Sequence, residues 1–289
     1  MLLDPTLLLQ TALSGILLGA VYALLAGGLN LIFGVMRIIN VAHADLMMLG
    51  AYNTYWLFSL WGMNPLLSLA VSMPVLFAVG WGLQKFLVSR VARAGELTSL
   101  LLTFGISIVL VNTALYVWSG DFRSVAYLSG SILVGPLALS RVRLVAFAVA
   151  LAITLAVYLF LKWHPWGRAI RATSQHADLA LACGIDVDTV RLGTFGLAAS
   201  LAGAAGSLIS MMYSIYPEMG AFFLLKAFAI IILGGRGSFP GAFLGAIILG
   251  VIESFAALWT TATHAEAAAY VTLILMLLLK PSGLLGEPE

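Results

Sequence analysis

The run from Pro5 to Met36 contains no charged side chain, and three more such runs follow, at Leu97 to Gly120, Leu144 to Leu161 and Leu192 to Pro217. A bilayer's hydrocarbon core takes roughly 20 apolar residues of helix, and several runs of that length in one chain point to a lipid-embedded fold. Composition agrees: 9% of residues are charged, against roughly 25% in soluble domains. The runs are rich in leucine and alanine and do not alternate polar with apolar, which argues against a barrel of short strands. The fold class is therefore an all-α polytopic membrane protein. No linker divides the chain, so residues 1–289 read as a single transmembrane domain.

Spans are expected at about 7–33, 41–60, 66–88, 98–118, 144–162, 191–214, 222–235, 240–260 and 266–280, giving about eight or nine transmembrane or partly penetrating helices. Asp4 and the absence of a basic residue before the first apolar run make "MLLDPTLLL" the first span and not a cleaved leader. After Pro217, Lys226, Arg236, Glu253 and Glu266 cut the apolar sequence into short pieces, and broken helices are expected there. Irregular backbone at membrane depth survives only where protein or a watery cavity satisfies it.

Charge distribution sets the expected orientation. Placing Gly167 to Asp186 in the cytoplasm puts Arg37, Lys85, Arg90, Arg93, Lys162, Arg168, Arg171, Arg191, Arg236 and Lys280 on that side, ten of the 14 basic residues. Arg123, Arg141, Arg143 and Lys226 then face outward. This fits the positive-inside bias, with the N-terminus outside and the C-terminus in the cytoplasm. A net charge of +2 gives no reason to expect nucleic acid. Cys183 is the sole cysteine, and His43, His164, His176 and His264 are scattered, so neither a disulfide nor a metal site is expected.

Three motifs stand out. In "WHPWGRAIRATSQHADLALACGID", Pro165 and Gly167 bracket a turn, and Gly184 supplies a left-handed residue to stop a helix. A helix-turn-helix is expected between them, with Arg168 and Arg171 on one face and Ser174 or Gln175 capping a second turn that carries Asp178, Ala182 and Cys183. Such a compact polar segment is either a solvated loop or a docking element for a cytoplasmic partner. Its docking candidates are Gly167, Arg168, Arg171, Ala172, Thr173, Ser174, Gln175, Asp178 and Gly184.

In "GGRGSFPGAFLGAIILG", Gly237, Gly241 and Gly245 recur every four residues, which lets another helix approach closely. No G-x-x-x-x-G-K-[ST] occurs anywhere, so this glycine string is not a phosphate loop. In "GLNLIFGVMRIINVAHADLMMLGAY", Asn30, Asn40, His43 and Asp45 punctuate the end of one span and the start of the next. Ionisable groups at membrane depth are costly and often functional. With Glu253, these four are candidates for a translocation path, or for helix capping and interhelical hydrogen bonding. His43 and Asp45 are two apart, so on a helix they diverge and form no ready acid-base pair.

Taken together, "NLIFGVMRIINVAHADLMMLGAY", "ELTSLLLTFGISIVL", "GRAIRATSQHADLALACGID" and "LKAFAIIILGGRGSFPGAFLGAIILGVIES" resemble, in order, the LivH-type permease family of bacterial branched-chain amino-acid ABC importers. The family commonly has Gly-Glu where Ala44 and Asp45 stand, and an Asp-Pro or Asn-Pro-Glu type helix start where this chain has "QHAD". The resemblance implies that the loop at about 163–190 holds a coupling helix docked on an ATPase subunit. It implies an inner-membrane permease with no cofactor of its own, ATP and Mg being bound on partner subunits. Implied partners are two cytoplasmic ATPase subunits, a second and related permease, a periplasmic or lipid-anchored substrate-binding protein, and membrane lipid. The rival classes are a permease for another small polar solute such as an amide or urea, and an ion-coupled secondary transporter using His43, Asp45 and Glu253. No nucleophile, base and orienting group are spaced as in an enzyme site.

Overall fold

The computed structural model describes residues 4–91, 95–259, 262–280 and 282–285. Arg93 and the side chains of His264 and Glu266, weighed above, lie outside the described residues. Each expected span falls for most of its length on a helix, residue 260 lying outside the described residues. Helix α1 (Pro5–Met36) starts where Asp4 accepts the Thr6 N–H at 2.9 Å and stops at Arg37, whose φ is 53°. It is followed by α2 (His43–Trp61), α3 (Leu69–Leu83), a π-helical turn (Gln84–Val88) and α4 (Ser89–Val91), which continue one another, and α5 (Glu96–Trp118). Then come α6 (Arg141–Trp163), α7 (Pro165–Gln175), α8 (Ala177–Ala182), α9 (Val187–Ile209), α10 (Met219–Gly234), α11 (Phe239–Trp259) and α12 (Ala262–Leu279).

Burial separates centre from periphery. The most apolar stretches of α1 and α9 are 89% and 83% buried, whereas that of α5 is 17% buried. Small residues let the two central helices collect neighbours. Along α1, Gly15 and Gly19 lie against the backbone of Gly250, Val251 and Ala246, so α11 runs antiparallel in close contact. Along α9, Gly203 meets Gly50 of α2, and Ala199 meets Gly80 of α3. Side chains at these points would hold the backbones apart. The outer faces of α5, α6 and α12 carry exposed apolar side chains such as Leu101, Val109, Leu155 and Leu278, as surfaces facing lipid or other apolar chains require.

Two features of the fold carry no signal in the sequence. Between α5 and α6, Ser131–Val134 (β1) and Leu137–Ser140 (β2) form an antiparallel hairpin, its two-residue loop opened by Gly135 at φ 60°. The second lies between α1 and α2. His43, the first residue of α2, places Nε2 3.0 Å from the carbonyl oxygen of Leu25, eleven positions before the end of α1. At 1.5 Å per residue that is about 16 Å back along the helix. Residues 37–42 therefore double back into the bundle, a reach their extended length of roughly 20 Å permits. Thr103 of α5 satisfies their backbone, donating to the Ile39 carbonyl at 3.0 Å and accepting the Val41 N–H at 3.3 Å. Breaks in regular structure were expected only after Pro217; this one comes earlier and is lined by protein, as irregular backbone at membrane depth must be.

The end of α1, the α6–α8 corner and the α10–α11 turn share one end of the molecule, where Asn30, Lys162, Arg171, Ser174 and Pro240 line a cavity of about 320 Å³. Residues 284 and 285 return to that end, the N–H groups of Leu284 and Leu285 donating to Leu233 and Gly234 at 2.8 and 3.0 Å. They satisfy carbonyls that the C-terminus of α10 leaves open.

Candidate functional site

At that end, α7 and α8 form the expected helical pair. His164 accepts the Trp166 N–H at 3.2 Å and Pro165 occupies the first turn, where its missing donor costs nothing. Gly167, Ile170 and Thr173 make the buried face of α7, and Gly167 packs directly on the backbone of Phe160 and Leu161. Gly167 and Thr173 thus seat the helix and present no surface to a partner. Ala172 and Ser174 are half-buried, while Arg168, Arg171, Gln175 and Asp178 are exposed. Arg171 also donates to the Lys162 carbonyl at 3.2 Å, tying α7 to the end of α6.

The start of α8 differs from expectation. Its cap position is His176, without a side-chain hydrogen bond, in place of Ser174 or Gln175. Gly184, at φ 83°, closes α8 as its N–H meets the Leu181 carbonyl at 2.9 Å. Asp186 then opens α9, accepting the Thr189 N–H at 3.1 Å. The Thr189 hydroxyl, and then its N–H, hold the Asp186 carboxyl below the ordinary 3.8. Leu179 and Leu181, each 63% exposed on α8, were not singled out from sequence. Beside Trp166, 44% exposed, they put apolar area on a surface that otherwise carries charge, the composition of a protein contact.

Inside the bundle the nominated polar residues go to different places. Asn30 is fully engaged: its Nδ2 donates to Ser238 O at 2.8 Å and its Oδ1 accepts the Gly237 N–H at 2.8 Å, fastening α1 to the α10–α11 turn. That contact places Gly237, φ 79°, in the turn ahead of α11, where its backbone lies close against Gly34 of α1. Gly241 and Gly245 do lie on α11, against the backbone of Gly234 and Ile230 in α10. Asn40, His43 and Asp45 are 1%, 0% and 3% exposed. His43 turns to α1, and Asp45 turns to Ser107 of α5 and Gly220 of α10. Both amide atoms of Asn40, Nδ1 of His43 and Oδ2 of Asp45 lack hydrogen-bond partners among the described residues.

Lys226, expected to face outward, is instead 2% exposed within α10, its Nζ 2.6 Å from Glu253 Oε1 on α11. Tyr22 of α1 completes the contact, its hydroxyl 3.2 Å from Nζ. The cause is physical: a lysine flanked by "FFLL" and "AFAIII" cannot reach either surface cheaply and pairs with an acid inside the bundle. That flanking sequence was the available signal. Among the described residues no cluster of His, Cys, Asp and Glu is suited to a metal ion.

Residues 11–279 match the family described as branched-chain amino acid transport system / permease component. The chain belongs to this family. It is 30% identical to the high-affinity branched-chain amino acid transport system permease protein LivH of Salmonella typhimurium, over 97% of this chain and 96% of that protein. It is 31% identical to the corresponding protein BraD of Pseudomonas aeruginosa, with the same coverage. A probable LivH of Methanocaldococcus jannaschii is 28% identical over 91% of this chain and 88% of its own. The chain is accordingly a multi-pass permease subunit of an ABC importer, a kind of system that includes an ATPase and a substrate-binding protein.

Proposed function

We propose that this permease carries branched-chain or related amino acids across a bacterial plasma membrane, as the names of its relatives indicate for them, through alternating access driven by ATP hydrolysis on partner subunits. Residues 1–289 act as one domain beside a second, related permease. The coupling loop at about 163–190 faces the cytoplasm, with the N-terminus outside, and two ATPase subunits serve the pair. The observation that carries the docking assignment is the exposed apolar and charged surface of α7 and α8, held rigidly on α6 by Gly167 and Arg171. Rigid seating is what a lever needs to pass motion from an ATPase to membrane helices. Asn40, His43 and Asp45 are assigned to the solute path, because buried polar atoms without partners call for water or ligand.

The test is Leu179→Asp with Leu181→Asp, which alters exposed positions only. The expected result is a permease that reaches the membrane but loses co-purifying ATPase and solute-stimulated ATP turnover, since a desolvated acid opposes docking. Normal ATPase retention and coupled uptake would refute the assignment. Uptake by the chain without any ATPase would identify an ion-coupled transporter instead.

A further inference from the structure

The Lys226–Glu253 pair is costly where it stands. Two charges removed from water are repaid only by good geometry and further hydrogen bonds, and apolar residues of equal volume often do as well for stability. This pair nevertheless sits between two apolar helices with a cage around it. Nζ of Lys226 lies 4.2 Å from the ring centre of Phe222, 5.1 Å from Tyr22 and 5.7 Å from Phe223. The Tyr22 hydroxyl is 3.5 Å from Glu253 Oε1 and 3.5 Å from the hydroxyl of Tyr213, in the α9–α10 connection. Four parts of the chain thus converge: α1, that connection, α10 and α11.

The cage is asymmetric. The Lys226 side chain is 2% exposed and that of Glu253 12%, while Tyr213 and Phe222 beside them are half-buried. Glu253 Oε2 has no hydrogen-bond partner among the described residues. Glu253 therefore keeps a buried, uncommitted carboxylate oxygen in a cluster that also holds the half-buried ring of Phe222 and phenol of Tyr213, with the Lys226 cation on its other oxygen; a buried polar atom without a partner calls for water or ligand.

We propose that Lys226 and Glu253 are the contact site for the charged end of an α-amino acid, a proposal that rests on the amino-acid reading of the solute given above. The ammonium takes Oε2 of Glu253, the carboxylate then displaces Oε1 from Lys226, and the apolar side chain lies against Phe222 and Phe223. One ion pair is exchanged for two, so no charge is left uncompensated at membrane depth. An amine or a carboxylic acid alone strands one partner, and the site discriminates against both. In the absence of solute the pair closes on itself and α10 stays fastened to α11.

The experiment uses the complex of permease, ATPases and binding protein in proteoliposomes. Lys226→Met with Glu253→Met removes both charges together, so neither member of the pair is left buried alone. Leucine uptake is expected to fall at least about 30-fold with the complex still assembled, the effect of losing a buried charge contact. Uptake within about threefold of the parent would reduce the pair to a structural fastener and overturn the proposal. Tyr213→Cys in a Cys183→Ser background gives a second readout that keeps Lys226 and Glu253 intact. Leucine delivered by the binding protein should slow alkylation of that thiol, whereas 3-methylbutylamine and 4-methylpentanoate should not. Alkylation indifferent to leucine, or slowed equally by all three compounds, overturns the site. A parent complex that takes up no amino acid overturns the solute reading itself, a result that is distinct from failure of the variants alone.

Discussion

Substituting Gly50 with alanine isolates the cost of the close approach between α2 and α9. A methyl built on Gly50 would lie 2.5 Å from the Gly203 carbonyl oxygen, 2.7 Å from its Cα and 3.0 Å from its carbonyl carbon. All three are backbone atoms, so no side chain can swing aside. Real Cβ contacts essentially never fall below 3.0 Å, and the helices must part by about half an ångström, at a cost of about 1–3 kcal/mol for overpacking. Alanine also gains up to about 1 kcal/mol of helix propensity over glycine, which partly masks that cost. Gly82 supplies the control: it is helical, and a methyl there meets nothing within 4 Å. The propensity gain is common to both variants and cancels in the comparison. Gly50→Ala should therefore be less stable than Gly82→Ala by about 1–3 kcal/mol, a ratio of about 5- to 150-fold in the unfolding equilibrium. Thermal unfolding of both in the same micelle, followed by tryptophan fluorescence and monodispersity, measures it. If Gly50→Ala matched or exceeded Gly82→Ala, the close-packing argument would fail for this crossing.

Thr103→Val keeps shape but strips the hydroxyl from Ile39 and Val41; it should cost about 1–3 kcal/mol through unsatisfied backbone groups, and Thr103→Ser should recover most of it in the same thermal assay. Asn30→Leu should loosen the α10–α11 turn by a similar amount, seen as faster amide exchange at Gly237, with exchange unchanged if Asn30 is no fastener. The Asp186 cap should hold at all pH values above the ordinary 3.8 and fail as pH falls through its lower folded value, because a depressed carboxylate pKa stabilises only while the group is charged. Asp186→Asn keeps an acceptor and should abolish this dependence, as read by amide exchange at Thr189 against pH.

The uncharged runs made the helices legible because a bilayer permits few alternatives: α1, α5 and α6 begin and end within about three residues of the spans expected from hydrophobicity. The depth of residues 37–42 was not legible. "RIINVA" reads as an ordinary connection, and what holds it in the bundle is a threonine some sixty positions later and a carbonyl in the preceding helix. Lys226 was misplaced for a related reason. A count of charges by loop assigns each lysine to a surface, and its acid lies 27 residues away on another helix. Leu179 and Leu181 were overlooked because leucine carries no signal in a chain this apolar; only the exposed setting of α8 distinguishes them.

The doubled-back segment also bears on the order in which the protein can be built. A span released from the ribosome normally enters lipid with its own backbone satisfied, but residues 37–42 cannot complete theirs until Thr103 has been synthesised. Helix α2 waits longer still: its Met47 and Gly50 close against Gly206 and Gly203 of α9. Until then the first two helices are an unfinished pair whose exposed peptide groups need shelter from hydrocarbon. A nascent chain ending at residue 95 should therefore remain beside the insertion machinery, while one extended past α9 should leave it. The position of one threonine thus helps to set when the earliest part of this permease becomes a membrane protein.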